Sequence, residues 1–561
     1  MNNFWTKSYP EGVEAEVSSP HKSLTEFFDD IFAKFADREF GTNMGATYTY
    51  REIDEVSRHI SAWLQNQGLP IGATVALMMP NVNQYMPIVV GVIRAGYILT
   101  TVNPLYTPRE LKHQLVDSET SAIFILEPFC KTLEKVLEET NIQTVVISKI
   151  GDMVGKKGAV VNLAAKHIKK AVPKYGLKST NNCEVIGFKS VLKAGKSLPY
   201  TRPVQRRTDL ALLQYTGGTT GVAKGILVNH QNVMMATAQF EEWFKPVYKK
   251  FSKDTQINTI IALPLYHIYA FIILLLGMRV GQHLTLVTNP RDIDGFIKIL
   301  GKRPFHIFPS VNTLYQGLLA NPKFKKLDFS SLVLSLAGGM AATQATANKW
   351  KEVTGLPIIE GWGMSEGLGV GTANPLDNTE FNGNIGLPLP GVDISIRDEE
   401  GNVLPLGEVG EMCIKGENII THYHNLENKP FFTHDGYLKT GDIAAMDENG
   451  YIQIYDRKKD MLIVSGFNVF PNEVEGVIEM HPNVAECAVV GVDDELQGQL
   501  VKAYVVRTDD NLTEQEIQEF CKESLTGYKR PKHIEFIDEL PKSTVGKILR
   551  HELRDKANNR P

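Results

Sequence analysis

The sequence predicts an α/β fold in which a large, layered N-terminal α/β domain is followed by a small, mobile C-terminal α/β domain. The chain has 561 residues, 43% of them hydrophobic and 22% charged, which is too many for one compact unit. Apolar runs of strand length alternate with helical stretches, as at residues 74–79, 86–95 and 122–126. The runs at 210–215 and 332–337 are continuously apolar, which is typical of strands that helices cover on both faces.

A domain boundary is predicted where the pattern changes near residue 451. Residues 451–455 alternate between apolar and polar side chains, and the charged run 456–460 follows them. We therefore divide the chain into an N-terminal domain, residues 1–456, and a C-terminal domain, residues 457–561. The second part is long enough to fold independently. Its predicted elements are a strand at 461–464, a helix at 471–480, strands at 485–490 and 501–506, and a helix at 513–525.

Charge and cysteine content exclude several classes of protein. The net charge of −5 gives no electrostatic footprint for nucleic acid, whose binding proteins are usually strongly basic. The five cysteines have no paired spacing, which argues against a zinc site and against a disulfide framework. The first residues do not have the pattern of a secretory signal. These observations favour a cytoplasmic protein.

Two segments raise the question of membrane contact. Residues 260–278 are strongly apolar, but Pro264, Tyr266 and His267 interrupt them, so we expect a buried core element there. In residues 166–178 lysines alternate with apolar residues. This segment could rest on an anionic bilayer at the inner face of the cell membrane, or it could be a solvated basic surface. The sequence leaves both readings open.

A run rich in glycine and threonine, residues 215–225, is the strongest pointer to a ligand. Glycines let successive backbone N–H groups approach a polyphosphate, while hydroxyls and a lysine add further donors. The run is not a Walker A loop, because Lys224 precedes Gly225 and no serine or threonine follows it. A strand at 225–228 comes next, and Asn229 is a plausible cap for a helix that begins near His230. The loop should therefore join two strands, although a glycine-rich turn without a ligand is the alternative.

Four more segments follow the loop in order: residues 337–340, 360–366, 436–442 continuing to 456–459, and 541–550. Together with the loop they resemble the motifs of the adenylate-forming enzymes, the superfamily of acyl-CoA synthetases, luciferases and peptide-synthetase adenylation domains. The resemblance covers the chain from about residue 210 to its end. The stretch from Asp435 to Glu473 is similar to the signature of bacterial long-chain fatty acid:CoA ligases. The resemblance implies ATP-dependent activation of a fatty acid through an acyl-adenylate, followed by transfer to CoA.

The resemblance also implies ligands and residue roles. ATP, Mg²⁺ and the co-substrate CoA are the expected cofactors, and the fatty acid is the expected small-molecule partner. Glu366 and Thr216 would coordinate Mg²⁺ through hard oxygen ligands. Trp362 would lie against adenine, and Ser365 would bond near the α-phosphate, at positions where relatives more often have Tyr and Thr. The residues implied to hold the phosphates are Thr216, Gly217, Gly218, Thr219, Thr220, Gly221 and Lys224, and those implied to complete the nucleotide pocket are Gly338, Gly339, Glu360 and Gly361.

The remaining roles lie near the predicted boundary and in the C-terminal domain. Asp442 and Arg457 would bind the ribose, and Lys459 would be the hinge. Lys547 would neutralise charge during adenylation, and Gly466 would line the pantetheine tunnel after the small domain has moved. The residues implied to be catalytic are Lys547, Glu366 and His267.

Each of these residues also has an ordinary interpretation. Glu366, Asp442 and Arg457 could be surface charges, and Lys547 could lie in a mobile tail. Trp362 and His267 could be core residues, the latter beside apolar residues 271–276, which would line an acyl tunnel.

Three questions remain open from the sequence. One is whether a different acid or a carrier-protein thiol is used. Another is whether the chain is a scaffold that kept the fold without the chemistry. The last is whether the protein forms a homodimer.

Overall fold

The structure, a computed structural model, describes residues 3–216, 223–427, 429–494, 496–543 and 546–558. The strands, in chain order, are β1 Glu39–Asn43, β2 Ala46–Thr49, β3 Thr74–Met78, β4 Ile98–Thr101, β5 Thr120–Leu126, β6 Thr144–Ser148, β7 Glu184–Gly187, β8 Leu210–Tyr215, β9 Gly225–Asn229, β10 Asn258–Ile261, β11 His283–Leu286, β12 Ile307–Ser310, β13 Leu334–Ala337, β14 Ile358–Trp362, β15 Thr372–Ala373, β16 Leu387–Pro388, β17 Val392–Arg397, β18 Gly410–Gly416, β19 Leu438–Met446, β20 Ile452–Arg457, β21 Leu462–Val464, β22 Phe467–Val469, β23 Val484–Asp494, β24 Gly498–Arg507 and β25 His533–Phe536.

The α-helices, in chain order, are α1 Leu24–Phe35, α2 Tyr50–Gln65, α3 Tyr85–Arg94, α4 Pro108–Asp117, α5 Cys130–Glu134, α6 Gly158–Leu163, α7 Phe188–Gly195, α8 His230–Trp243, α9 Lys245–Tyr248, α10 Ile268–Arg279, α11 Ile293–Leu300, α12 Asn312–Leu319, α13 Gln344–Thr354, α14 Pro471–Ile478, α15 Glu514–Lys522 and α16 Arg550–Ala557.

Two large sheets organise the N-terminal part. The first has the strand order β7-β6-β5-β3-β4-β8-β9 and is parallel except for its last pair, β8 with β9. The second has the order β16-β15-β14-β13-β12-β10-β11-β1-β2, with parallel strands in the middle and antiparallel strands at both ends. Parallel strands need long crossovers, which the alternating helices supply. The predicted layered α/β fold is confirmed.

The apolar window near residue 260 divides into two buried elements. Strand β10 is buried along its whole length, and the helix α10 that follows is buried from Ile268 to Met278, except for Tyr269, which is half-buried. Helix α10 packs on α8 and on strand β11. The prediction of a core element is therefore correct. Within the described ranges, no helix combines the length and the apolar character needed to cross a bilayer.

A four-stranded antiparallel sheet, β17-β18-β19-β20, connects the large sheets to the C-terminal part. Strand β20 ends at Arg457, and the next strand, β21, begins at Leu462. In the C-terminal sheet, strands β22-β21-β24-β23 are antiparallel and β25 pairs with β24. This sheet has a hydrophobic core of its own, which includes Val489, Val505 and Ile517. A large N-terminal domain and a smaller C-terminal domain are thus present, while the boundary at 456/457 stays a prediction.

The structure confirms the strand pair and the helix cap that were predicted around the glycine-rich loop. Strands β8 and β9 pair in antiparallel fashion, with Tyr215 opposite Gly225, so the loop joins two strands as predicted. Asn229 precedes α8, and its side chain accepts the backbone N–H of Asn232. This bond satisfies one of the free N–H groups in the first turn of the helix. The loop residues Gly217, Gly218, Thr219, Thr220 and Gly221 lie outside the described residues.

Candidate active site

A cleft of about 2650 Å³ brings together side chains from both large sheets, the antiparallel sheet and the C-terminal part. Its lining contains nearly all of the predicted site residues that the structure describes, namely Thr216, Lys224, His267, Gly338, Gly339, Glu360, Gly361, Trp362, Ser365, Glu366, Asp442, Arg457, Lys459 and Lys547. Gly466 is not among the lining residues. It lies at the exposed turn between β21 and β22, with a positive φ of 83°.

Asp442 is a buried carboxylate of the cleft with a partner at each oxygen. It stands opposite Arg457 in the β19–β20 pair, and Arg457 Nε lies 2.6 Å from Asp442 Oδ1. The indole Nε1 of Trp362 donates to Asp442 Oδ2 at 2.9 Å. Burial raises the pKa of Asp442, and the neighbouring Arg457 charge opposes that shift. Both oxygens of a buried carboxylate are therefore oriented toward fixed donors.

Glu366 is held by an aromatic residue that the sequence analysis missed. It lies in the short 3₁₀ helix Ser365–Gly367, and its Oε1 accepts a hydrogen bond from Tyr423 Oη at 2.9 Å. The ring of Phe431 contacts that of Tyr423, with centroids 4.5 Å apart. Lys224 Nζ lies 4.5 Å from the Phe431 centroid, within the range of a cation–π interaction. Tyr423 and Phe431 thus link the end of the glycine-rich loop to Glu366.

Tyr423 and Phe431 could not be identified as site residues from the sequence. Neither lies in the motifs that carried the resemblance, and an isolated aromatic residue is most often core. Tyr423 is placed by an isolated bridge to Ile226 in β9, directly after the loop. This bridge is a tertiary contact that no local pattern indicates.

The glycine-rich loop is fixed at the ends that the structure describes. Thr216 donates its backbone N–H to the Lys224 carbonyl oxygen at 3.0 Å. The side chain of Tyr215 donates to Asp117 at 2.6 Å. The chain therefore enters and leaves the loop from a closed strand pair, and Thr216 and Lys224 both face the cleft.

Glu360 supports the backbone of the neighbouring loop. It is buried, and its carboxylate accepts the backbone N–H of Ala342 at 2.8 Å. Burial raises the pKa of Glu360 to about 7, and the bond from Ala342 opposes the shift. In the same loop, a Cβ built on Gly338 would lie 3.0 Å from the Tyr269 ring. A larger residue at position 338 would therefore require the Tyr269 ring to shift.

Lys547 reaches the cleft from the C-terminal part. Its neighbour Gly546 packs on helix α12, since a Cβ added there would lie 2.6 Å from Thr313 Oγ1. The pKa of Lys547 is lowered, first by burial and then by Arg457, while Asp442 and Glu366 act in the opposite direction. Burial, with a smaller effect of the Lys547 charge, lowers the pKa of His267 to about 4. The structure thus brings Lys547, His267, Glu366, Asp442 and Arg457 into one electrostatic cluster.

The lining of the cleft differs from the prediction for residues 271–276. Of residues 271–276, only Ile273 lines the cleft, and the others are buried in the core around α10. The apolar and aromatic side chains that do line it include Phe240, Trp243 and Phe244. They lie in the last turn of α8 and directly after it, in a segment that the sequence motifs did not connect with the cleft.

The donor set for a divalent cation is small. No group of three or more histidine, cysteine, aspartate or glutamate residues suited to a metal occurs among the described residues. Mg²⁺, however, usually keeps several waters and takes one or two protein oxygens together with substrate phosphates. The Glu366 carboxylate and the Thr216 hydroxyl are hard oxygen donors at this cleft, so the residues present fit such an ion.

Comparisons with known proteins agree with this arrangement. A family model described as "AMP-binding enzyme" matches residues 28–424, and one described as "AMP-binding enzyme C-terminal domain" matches residues 473–547. The chain is 46% identical to a long-chain-fatty-acid–CoA ligase of Yersinia pestis, over 99% of this chain and 98% of that protein. It is also 46% identical to the protein of that name from Escherichia coli O6:H1 strain CFT073, over 100% and 99% of the two chains. ATP-bound MatB from Rhodopseudomonas palustris is similar in structure, with a TM-score of 0.79 and 26% identity over 95% of this chain and 98% of that one.

Glu360 should make stability depend on pH. Its folded pKa of about 7 lies above the usual glutamate pKa of about 4.5, so its contribution is complete below about pH 4.5 and is lost as pH rises through 7. Glu360→Gln keeps an acceptor for Ala342 and removes the titration. We expect the stability of the wild type, relative to this variant, to fall by about 3 kcal/mol between about pH 5 and about pH 8. Thermal unfolding midpoints measured across this range test it.

The exposed Glu352→Gln on helix α13 is the matched control and should follow the wild type at every pH. Unfolding curves for Glu360→Gln that remain parallel to those of the wild type would contradict the assignment.

Proposed function

Because the chain belongs to the AMP-binding enzyme family, we propose that it is a long-chain fatty acid:CoA ligase. In the first step the fatty acid carboxylate attacks the α-phosphorus of ATP, and the bond to the β-phosphate breaks and releases pyrophosphate. In the second step the CoA thiol attacks the acyl carbonyl and AMP leaves. The observation that carries the proposal is the convergence of Asp442, Arg457, Trp362, Glu366 and Lys547 on one cleft, in a chain 46% identical to a protein of that name.

The first step needs positioning and charge neutralisation more than acid–base chemistry. An ionised carboxylate is already a nucleophile, so the residues around it have to orient ATP and offset its charge. Lys547 supplies a cation that is partly desolvated and therefore acts more strongly on the α-phosphate than it would in water. Lys224 supplies a second cation at the end of the phosphate loop.

The nucleoside is recognised by the Asp442 cluster. The two carboxylate oxygens can accept both ribose hydroxyls, and Arg457 neutralises the buried charge. Trp362 offers a flat face to adenine and at the same time anchors Asp442 through its N–H. Tyrosine, which relatives more often have here, carries no ring N–H, so Trp362 holds Asp442 in a different way.

Mg²⁺ is part of this proposal. Glu366 and Thr216 would hold it, and when bound it offsets the charge of the leaving pyrophosphate. Tyr423 keeps the Glu366 carboxylate oriented by donating to Oε1.

The second step is proposed to follow a rotation of the C-terminal domain, residues 457–561, about Lys459. Lys547 and the CoA thiol act near the same carbonyl, so a domain that withdraws Lys547 frees the space. Gly466 is exposed and outside the cleft in this structure, and the rotation would bring its turn to the pantetheine. The fatty acyl chain would occupy the side of the cleft lined by Phe240, Trp243 and Phe244.

Product analysis tests the function itself. With a long-chain fatty acid, ATP and Mg²⁺, the protein should release pyrophosphate, and acyl-CoA should form only when CoA is added. Acids of graded length, together with an aromatic acid, define the specificity. Accumulation of adenylate in the presence of free CoA would indicate a carrier-protein acceptor instead, and the absence of both products would show that the chemistry is lost.

Lys547→Ala should separate the two half-reactions. We expect loss of adenylate formation by about two to three orders of magnitude, because a buried cation that faces the α-phosphate is removed. Thioester formation from supplied acyl-adenylate and CoA should be retained. Single-turnover assays with isolated intermediates measure the rates of the two half-reactions.

Lys522→Ala, on the exposed side of α15 in the same domain, is the control and should affect neither half-reaction. If Lys547→Ala slowed adenylate formation and thioester formation equally, the result would argue against the domain rotation.

Trp362→Phe tests the anchoring of Asp442. The variant keeps a flat aromatic ring and removes the N–H donor, so the KM for ATP should rise roughly tenfold, as expected for the loss of a hydrogen bond to a charged group. The KM for the fatty acid should change little. Steady-state kinetics in both substrates measure the difference.

Trp350→Phe provides the matched control, because Trp350 also donates from its indole, to Ser335 Oγ at 2.9 Å, but in a separate core. It should lower stability and leave the KM for ATP unchanged. A Trp362→Phe variant in which both KM values rise together would point to general disruption of the cleft.

A further inference from the structure

The segment before α1 forms a strap across the N-terminal part of the protein. We call residues 4–17 the strap, and it begins with the 3₁₀ helix Phe4–Ser8. Trp5 is buried against the turn between β19 and β20, where a Cβ added to Gly450 would lie 2.1 Å from the Trp5 Cβ. In the same turn, the Asn449 carbonyl oxygen accepts a hydrogen bond from Ser8 Oγ at 2.9 Å. Packing and a hydrogen bond therefore fix the start of the strap.

The strap then crosses the edge strand β16 of the second sheet. This strand stands at one end of the sheet order. Tyr9 Oη donates to the Pro388 carbonyl oxygen in β16 at 2.6 Å. Beyond β16, the backbone N–H of Gly391 donates to the Ala15 carbonyl oxygen at 3.0 Å. Proteins commonly cover the edge strands of their sheets with other segments. The strap is therefore anchored along β16 and the residues that follow it.

The strap also holds the end of helix α8. The rings of Tyr9 and Trp243 pack edge to face, with centroids 5.2 Å apart and planes at 84°. Trp243 is the last residue of α8, and its indole Nε1 donates to the Asn374 carbonyl oxygen at 3.2 Å. Glu14 adds a second attachment, because its backbone N–H donates to Glu242 at 2.8 Å. The buried indole of Trp243 is thus held between the strap and the residue that follows β15.

The apolar side of the cleft leads from the electrostatic cluster toward Trp243. His267, a member of that cluster, is the N-cap of α10, and the cleft residue Ile273 lies about 9 Å further along the helix. Helix α10 packs on α8, which contributes Phe240 and Trp243 to the lining. Strand β15, Thr372–Ala373, also lines the cleft and pairs with β16, where the strap is anchored. An acyl chain with its carboxylate at the cluster would therefore run toward Trp243.

We propose that Trp243 closes the acyl pocket and that the strap, through Tyr9, sets the length of the fatty acid that the pocket accepts. This inference rests on the proposed function, because it concerns the acyl site of the same reaction. The indole is held by Tyr9 and by the Asn374 carbonyl oxygen, so it resists displacement by additional CH₂ groups of a longer chain. Tyr9 is not among the residues that line the cleft. It is a positioning residue that acts on chain length through Trp243.

The relative activity on saturated acids of graded length tests the inference. Tyr9→Ala removes the ring behind the indole and gives Trp243 room to turn away from the pocket. The ratio of kcat/KM for arachidic acid to kcat/KM for palmitic acid should then rise about tenfold, the effect of burying one or two further CH₂ groups. Trp243→Phe places a smaller ring at the closed end and should raise the same ratio. Tyr9→Phe keeps the ring and should retain the wild-type ratio.

Tyr200→Ala is the matched control for a loss of stability alone. Tyr200 is half-buried like Tyr9, and its hydroxyl also donates to a backbone carbonyl oxygen, that of Arg94 at 3.1 Å. This contact lies at the end of α3, and Tyr200 does not line the cleft. The variant should lower the thermal unfolding midpoint about as much as Tyr9→Ala does. Its ratio of activities on the two acids should equal that of the wild type.

Binding of the same acids to the full-length protein separates this inference from the proposed function. Displacement of a fluorescent fatty acid measures the affinities without ATP or CoA. If the wild type binds palmitic acid but forms no acyl-CoA, the proposed function is wrong, and the ratio of affinities then decides the inference in place of the ratio of activities. A wild type that binds none of the acids would overturn both.

The comparison of variants decides the role of the strap. A wild-type ratio in Tyr9→Ala or in Trp243→Phe would overturn the inference, and so would an equal rise in Tyr200→Ala. A rise that occurs in Tyr9→Ala and Trp243→Phe, and is absent from Tyr9→Phe and Tyr200→Ala, supports it.

Discussion

The pairing of strands β19 and β20 is the constraint on which the site depends. It sets Asp442 opposite Arg457. The backbone register of the two strands therefore places the buried carboxylate next to its cation. A slip of one residue would turn every side chain of a strand to the other face of the sheet. The irregularity between Ile443 and Ala444 falls next to this pair, and such irregularities often re-aim a side chain. Strand β20 then ends at Arg457, next to the predicted domain boundary.

Burial and compensation shape the electrostatics of the cleft. Burial raises the pKa of Glu360, Glu366 and Asp442, and each is opposed by a specific donor or cation. Burial lowers the pKa of Lys547, because it disfavours the charged amine, whereas the neighbouring Asp442 and Glu366 favour the charge. A desolvated set of mixed charges costs stability, but it places strong fields where a nucleotide's phosphates would lie. The small domain participates directly, since Lys547 comes from it.

Much of the fold and of the candidate site could be predicted from particular residues. The Asn229 cap, the strand pair around the glycine-rich loop and the buried window near residue 260 were all local signals, and each proved correct. The antiparallel sheet β17-β18-β19-β20 was harder to predict from the sequence, because no α-helices separate its strands. Tyr423, Phe431 and the indole donor of Trp362 could not be predicted, since each acts through a partner distant in sequence.

The sequence by itself determined the α/β class, the order of the motifs and the family to which the chain belongs, because periodicity, caps and glycine spacing are written in neighbouring residues. Only the tertiary structure decided which residues meet. It joined Glu366 to Tyr423 and Trp362 to Asp442, and it reduced the predicted acyl lining at 271–276 to Ile273. The physical reason is that hydrogen bonds and packing contacts depend on distance in space, which the chain settles only when its sheets and crossovers have assembled.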